Sequence, residues 1–304
     1  MSDSNLVSVA IAAESTFGTA PTSGYKFLRY TGESLQYNIN NTQSAEIRND
    51  RNVSDMVRTD ASASGDLNFE LTYGTFDDLL EGVMCGTFSS DTLKNGTTTK
   101  TFTIEKHFGA GVTNPFHVYK GMQTSSMNLS LSAGDMVTGS FSFLGKEATT
   151  GTSKQASGAI AAANANPVMN AVNNVASISE GGSAYGDKVM TLDLTVENNL
   201  RVRNAIGTLG ASSIGLGQFV VTGSMSVYFQ SSAVYNKFLA GTDSSLAFQL
   251  NDGSNSYTIT LPSVEYTAGN VTAGSTNADV MAEMEFQAKY NASEACTMKI
   301  VRAS

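Results

Sequence analysis

Apolar and polar residues alternate one for one along most of this chain, and that period admits one kind of secondary structure. A strand sends successive side chains to opposite faces, so period two marks a strand with one face buried and the other wet. Leu35, Tyr37 and Ile39 interleave with Gln36, Asn38 and Asn40, and Leu67, Phe69 and Leu71 with Asp66, Asn68 and Glu70. The pattern returns at Met127, Leu129 and Leu131, from Val137 to Phe143, at Leu192, Leu194 and Val196, and at Met225, Val227 and Phe229. Later runs are Leu246, Phe248, Leu250, then Tyr257, Ile259, Leu261, then Ala282, Met284, Phe286. The connections are short and carry Gly, Asn or Asp, as at Asn251-Asp252-Gly253, which predicts antiparallel pairing.

Helical spacing occurs in two short places. Thr75 is the expected cap of one helix, with Asp77 and Asp78 in its first turn at the positive end of the dipole. Leu79, Leu80 and Val83 face inward there, and Gly82 and Gly86 offer stops. The other begins at Ser232, carries Val234, Tyr235, Phe238 and Leu239, and ends at Gly241. The fold class read from these signals is all-β with short flanking helices.

Each helix follows a strand of the same shape, and this exposes an internal duplication. GDLNFELTYGTFDDLLEG lies on GSMSVYFQSSAVYNKFLAG with Gly65 set on Gly223. Upstream, LQYNINN aligns with LDLTVENN, Leu35 on Leu192; downstream, SAGDMVTGSFSFLGK aligns with STNADVMAEMEFQAK, Lys146 on Lys289. Three matches in one order predict two tandem antiparallel β-sandwich or β-barrel domains, residues 1–146 and 167–304. The Ala, Gly, Ser and Thr-rich stretch 147–166 is the expected linker.

Each repeat also holds a long connection after its first strand. In the first, Arg48, Asp50, Arg51, Asp55 and Arg58 concentrate charge of both signs; in the second, Arg201 and Arg203 precede a Gly-rich arm. Loops of this length are commonly functional, and mixed-sign charge suits contacts that set register, so these seven residues are candidate inter-subunit contacts.

Composition excludes several classes. Charged residues make up 15 % of the chain and the net charge is −9, whereas an average soluble domain carries about 25 % charged residues. The surface is therefore built from hydroxyls and amides. An acidic chain without basic clusters has nothing to neutralise phosphates, which argues against tight nucleic-acid binding. No apolar run approaches the roughly 20 residues of a membrane span. The start MSDSNLVSVAIAAESTF places Asp3 and no Lys or Arg ahead of its apolar stretch, which reads against a secretory signal. Cys85 and Cys296 form neither a disulfide framework nor a metal cluster and read as buried free thiols.

Catalytic groups are few. His107 and His117, in KHFGAGVTNPFH, have no acid or thiol beside them at ligand spacing, so no metal is expected. Asp77 and Asp78 are accounted for by the helix start. GTLGASSIGLG lacks the Lys-Ser/Thr ending of a phosphate-binding loop. The expectation is no enzyme and no cofactor.

With those residues set out, a resemblance emerges. EIRNDRNVSDMVRTDASASGDLNFELTYGTFDDLLEGVMCGTF, Glu46 to Phe88, resembles the signature stretch of the tail tube (major tail) proteins of long-tailed bacteriophages. FVVTGSMSVYFQSSAVYNKFLAG, LPSVEY and NADVMAEMEFQAKY are similar to that family's C-terminal pattern. The resemblance implies a structural virion protein, a β-sandwich flanked by a short helix, whose inner strands join around a ring to line a channel for the genome. Single-domain relatives form hexamers; two domains per chain imply a trimeric ring with pseudo-sixfold symmetry, a hexamer being second. Implied partners are copies of itself, tail terminator, tape measure and distal tail proteins, with DNA only in transit and no membrane. Assembly in the host cytoplasm is implied too. From the residues alone, a carbohydrate-binding or adhesive β-sandwich of a virion or cell surface stands as the alternative.

Overall fold

The computed structural model describes residues 3–304, and period two becomes strand nearly everywhere it was read. In the first half the chain forms β1 (Ser8–Ala13), β2 (Lys26–Phe27), β3 (Gly32–Glu33), β4 (Gln36–Gln43), β5 (Met56–Glu70), α1 (Asp77–Met84), β6 (Thr92–Lys94), β7 (Phe102–His107), β8 (Phe116–Ser132), β9 (Thr138–Gly145) and β10 (Glu147–Gly151). The second half forms β11 (Val175–Glu180), β12 (Ser183–Ala184), β13 (Val189–Glu197), β14 (Arg201–Arg203), β15 (Ser213–Gly215), β16 (Val220–Tyr228), α2 (Ala233–Ala240), β17 (Ser244–Asn251), β18 (Ser256–Ala273), β19 (Val280–Ala288) and β20 (Lys299–Ala303). Every pairing between these strands is antiparallel.

The order of pairings appears twice. β4–β5, β5–β9, β9–β8, β8–β7, β7–β1 and β8–β10 in the first half match β13–β16, β16–β19, β19–β18, β18–β17, β17–β11 and β18–β20 in the second. Gly65 stands opposite Phe143, and Gly223 opposite Phe286. One detail of the sequence alignment changes. Gln36 faces Ser64 while Thr195 faces Thr222, so Leu35 corresponds to Leu194 rather than Leu192. Alternation alone does not distinguish registers that differ by two, because both bury the same face.

In each half one long strand serves two layers. The first part of β8 pairs with β7 and β10, and the rest continues beside β9; β18 does the same with β17, β20 and β19. The apolar faces of both layers meet in one core that runs through the two halves and includes Ile104, Met122, Leu67, Phe141, Leu194, Met225, Phe248 and Phe286. At its centre Phe69 lies 4.5 Å from Phe76 and 4.9 Å from Phe141, centroid to centroid. Gly65, on β5 with Phe69, lies against the backbone that leads into β4. Its φ is +140°, and a Cβ there would stand 2.5 Å from the Ser34 carbonyl oxygen and 2.6 Å from the Leu35 Cα. Gly65→Ala is therefore expected to destabilise the fold by about 3 kcal/mol. Gly111→Ala, at φ +89° but with nothing within 4 Å, is expected to cost only about 1 kcal/mol in the same thermal melt.

The start and stop of the first helix are corrected. Phe76, not Thr75, precedes α1, and the Thr75 hydroxyl is 2.5 Å from that of Thr72 instead of capping the helix. The helix runs past Gly82 and stops at Cys85, which is left-handed at φ 47°. The expected linker is also structured: its first residues form β10, and Ala161 exchanges backbone hydrogen bonds with Tyr25 and Phe27 at 2.9 Å. Small residues there permit close docking onto β2, and Ala156 is buried. α2 ends at Gly241 in the left-handed conformation, where Gly was read as the stop.

Both thiols are free and buried. Burial pushes the Cys85 thiol up to about 11 and raises Cys296 as well. At pH 8 neither is expected to react with a thiol-specific chromogenic disulfide until denaturant is added; release of either thiol from the native protein would contradict this. His107 stacks on Phe116 at 4.4 Å and His117 meets Phe108 edge-on at 4.7 Å. Among the described residues no three His, Cys, Asp or Glu side chains gather as metal ligands, and no helix is long and apolar enough to cross a membrane.

Candidate assembly surfaces

The two halves are sewn together by a strand pair that neither half contains by itself. β8 and β13 run antiparallel from Ser126 opposite Glu197 to Ser132 opposite Thr191. Met127–Val196, Leu129–Leu194 and Leu131–Leu192 face the core; Asn128–Thr195 and Ser130–Asp193 face outward, with the Ser130 hydroxyl donating to Asp193 at 2.5 Å. Just past this seam Asn198 is buried, its amide donating to the carbonyls of Val83 at 2.9 Å and Thr124 at 3.1 Å. On the other layer β20 pairs with β6. Arg302 donates to Asp77 at 2.7 Å and to Asp91 at 2.9 Å, over the ring of Phe88. The Tyr257 hydroxyl donates to the Asp77 carboxylate and accepts from the Gly74 amide at 2.8 Å. Burial first, and then the Asp77 charge, pushes that phenol far above its ordinary range. Asp77 was read as a helix-start acid; its larger role is to tie the halves together. A partner 225 residues away leaves no trace in local spacing.

Through the seam, eight strands form one continuous sheet in the order β4, β5, β9, β8, β13, β16, β19, β18. Residues directly opposite share a face, so the register fixes the outward side row by row. One row reads Asn68, Ser140, Asn128, Thr195, Thr222 and Gln287; the next reads Ser142, Ser126 and Glu197. Its carboxylates are Asp60, Asp66, Glu70, Asp193, Glu197, Glu265, Glu283 and Glu285; at its margins Lys289 pairs with Glu265 at 2.8 Å and Arg58 precedes Asp60 on β5. Sequence alternation placed these acids on the wet side but could not join them across strands.

The sheet has two open edges. Among the described residues β4 pairs only with β5, and residues 266–273 of β18 pair only with β19. β4 reads QYNINNTQ and 266–273 reads YTAGNVTA, neither holding a charge or a proline. Natural proteins guard free edges with Lys, Pro or bulges, and a long neutral edge is a template for another chain.

The two helices differ in the same sense. In α1 every residue from Leu79 to Met84 is buried, whereas in α2 only Val234 is. Val83, next to last in α1, is fully buried at 0 % exposed, and Leu239, at the same place in α2, is 64 % exposed. α1 is bounded by second-half residues at both ends, Arg302 and Tyr257 at Asp77 and Asn198 at Val83.

A family model described as phage tail tube protein matches residues 4–288 of the chain. The chain belongs to the phage tail tube family. No curated protein matches it. As a tail tube protein it is a structural component of the virion tail, and membership implies assembly with itself and with other tail proteins.

Tail tube subunits need surfaces that meet other copies, and the charged arms were the expected ones. Arg48 grips Asp50 within its own loop at 2.8 and 3.0 Å, which holds Asp50 well below the usual carboxylate range. Asp55 accepts from the Met56 amide at 2.7 Å, Arg51 sits at φ 63°, and Arg58 lies on β5 opposite Asn41. Arg201 donates to the Leu216 carbonyl at 3.0 Å, and Arg203 pairs with Ser213 in the small β14–β15 sheet. The structure therefore does not gather the seven into one site. Beside these exposed charges the first arm also presents apolar side chains: Ile47, Val53, Met56 and Val57 are all exposed. The second arm lies on the first half, where the Asn204 amide reaches Asp60 at 3.4 Å and Gly210 approaches the Lys146 and Ala61 carbonyls.

Proposed function

We propose that this tail tube protein closes into rings, stacked into a tube through which the genome passes, and that each chain supplies two tail-tube units, 1–146 and 167–304. The observation that carries this reading is the β8–β13 seam. One unit is already joined to the next by strand pairing, while the corresponding edges at the chain's two ends stay open. A head-to-tail contact of this kind generates a closed ring when the rotation per unit divides a full turn. Three chains then make a trimer with pseudo-sixfold symmetry, in preference to a hexamer of chains. The arm residues Arg48, Asp50, Arg51, Asp55 and Arg58 would lie against a neighbouring copy, as the arm holding Arg201 and Arg203 lies on the first half of its own chain.

The outward sheet face is assigned to the lumen. Its carboxylates repel phosphates and its polar rows hold no cluster of cations to neutralise them, so DNA passes without sticking. Assembly takes place in the host cytoplasm, with terminator, tape measure and distal tail proteins at the tube's ends. Negative-stain microscopy of purified protein at rising concentration, with native mass measurement of single rings, tests the reading. Six density lobes carried by three chains of 31.9 kDa are expected. Six chains per ring would overturn the trimer, and a monomer at every concentration would overturn the ring.

A further inference from the structure

The internal seam fixes, residue by residue, how one copy should meet the next, an inference that rests on the ring reading above. Ser64 and Thr222 are equivalent, each standing one residue before the landmark glycines Gly65 and Gly223. Their opposite residues, Gln36 and Thr195, are therefore equivalent. Phe143 and Phe286 face those glycines, so Ser140 and Glu283, each three residues earlier, are equivalent; their opposites on the next strand, Asn128 and Asn270, are too. At the seam Thr195 stands opposite Asn128.

We propose that rings close by antiparallel pairing of β4 and the segment before it with residues 266–273 of the next copy, with Gln36 opposite Asn270, Leu35 opposite Val271 and Tyr37 opposite Gly269.

Three features of the two edges fit this register. First, it lays apolar on apolar and polar on polar. Leu35 and Val271 are both packed against the core at their edges, as Leu194 and Leu129 are at the seam, while Gln36 and Asn270 are both exposed. Second, half-buried Tyr37 meets a glycine, so a large ring covers a position with no side chain of its own. A Cβ at Gly269 would come within 2.9 Å of the Met284 methyl and 3.1 Å of Phe238, so the edge is kept low where the tyrosine lands; such aromatic cover of edge glycines stabilises strand pairs. Third, the same approach brings the neighbour to the side of α2, which is left open where α1 is covered.

The register is tested by disulfide trapping in the full chain. Directly opposite residues place their Cα atoms about 4.5–5.5 Å apart, within disulfide reach, whereas diagonal pairs lie about 7–8 Å apart. Gln36→Cys with Asn270→Cys is expected to give covalent trimers on oxidation of assembled rings. The slipped pairs, Gln36→Cys with Ala268→Cys or Thr272→Cys, should cross-link at least about tenfold more slowly. The native thiols are buried and do not compete. Both substituted positions are exposed, so each variant is first required to form rings under reducing conditions. If rings form and a slipped pair links faster, or none links, the register is overturned and the ring reading stands. If wild-type protein forms no ring by microscopy, both fall.

Discussion

Tubes assembled from the triple variant Glu197→Lys, Glu283→Lys, Glu285→Lys are expected to hold double-stranded DNA that wild-type tubes release. All three side chains are exposed on the outward face of the eight-stranded sheet, Glu285 opposite Ser224, Glu283 opposite Ser226 and Glu197 opposite Val220. Exposed strand positions of this kind change stability by only about 0.5 kcal/mol, so the fold and the rings should survive. The electrostatics reverse. Each substitution turns a repelled carboxylate into a cation, and every ring repeats it along the channel. A surface making six to ten phosphate contacts loses roughly 10³–10⁵ in affinity between 50 and 200 mM salt. Capture of labelled duplex DNA by variant tubes should show that steep salt dependence, against no capture by wild type. Variant phage should eject their genome more slowly. The Glu→Gln triple, neutral at the same positions, should behave as wild type. Variant tubes that take up no more DNA than wild type would put this sheet face outside the lumen.

How far this was legible in the sequence depends on the range of the interaction. Period two located nearly every strand, because burial of one face is a local constraint that each residue meets alone. Duplication was visible for the same reason: Gly65 and Gly223 each stand opposite a phenylalanine where a side chain would clash, so the spacing around them is kept. Leu35 could be set on Leu192 or Leu194 with equal burial, and only cross-strand register decided for the second. The seam, Asp77 with Arg302, and Asn198 under Val83 join residues far apart in the chain. Their sequence signals are ordinary ones, a helix-start acid and an asparagine in a polar loop. The arms were found as arms, but the charges of the first drew attention away from Ile47, Val53, Met56 and Val57, which it exposes alongside them. The low charge content also reads differently once the edges are known. The open edges carry no guarding lysines, and a chain that covered them with copies of itself, as proposed, would need fewer ions in solution.

The sharpest contrast is expected between two leucines, one on each helix. Leu80 in α1 is 6 % exposed and belongs to the core; Leu239 in α2 is 64 % exposed. Leu80→Asp loses the packing of a buried leucine, about 2–5 kcal/mol even for alanine, and adds a carboxylate with no partner in an apolar site. The protein should be insoluble or melt at least about 10 °C lower. Leu239→Asp removes a side chain that the single chain does not cover, so its melting temperature should stay within about 2 °C of wild type. In the proposed ring, however, the next copy would cover α2 as the second half covers α1, and a carboxylate there would be desolvated at the contact. Rings and tubes should be lost from a variant whose monomer is fully folded by circular dichroism and thermal melting. If Leu239→Asp assembled like wild type, the neighbour would not reach α2, and the equivalence between the internal seam and the contact between chains would fail at the helix.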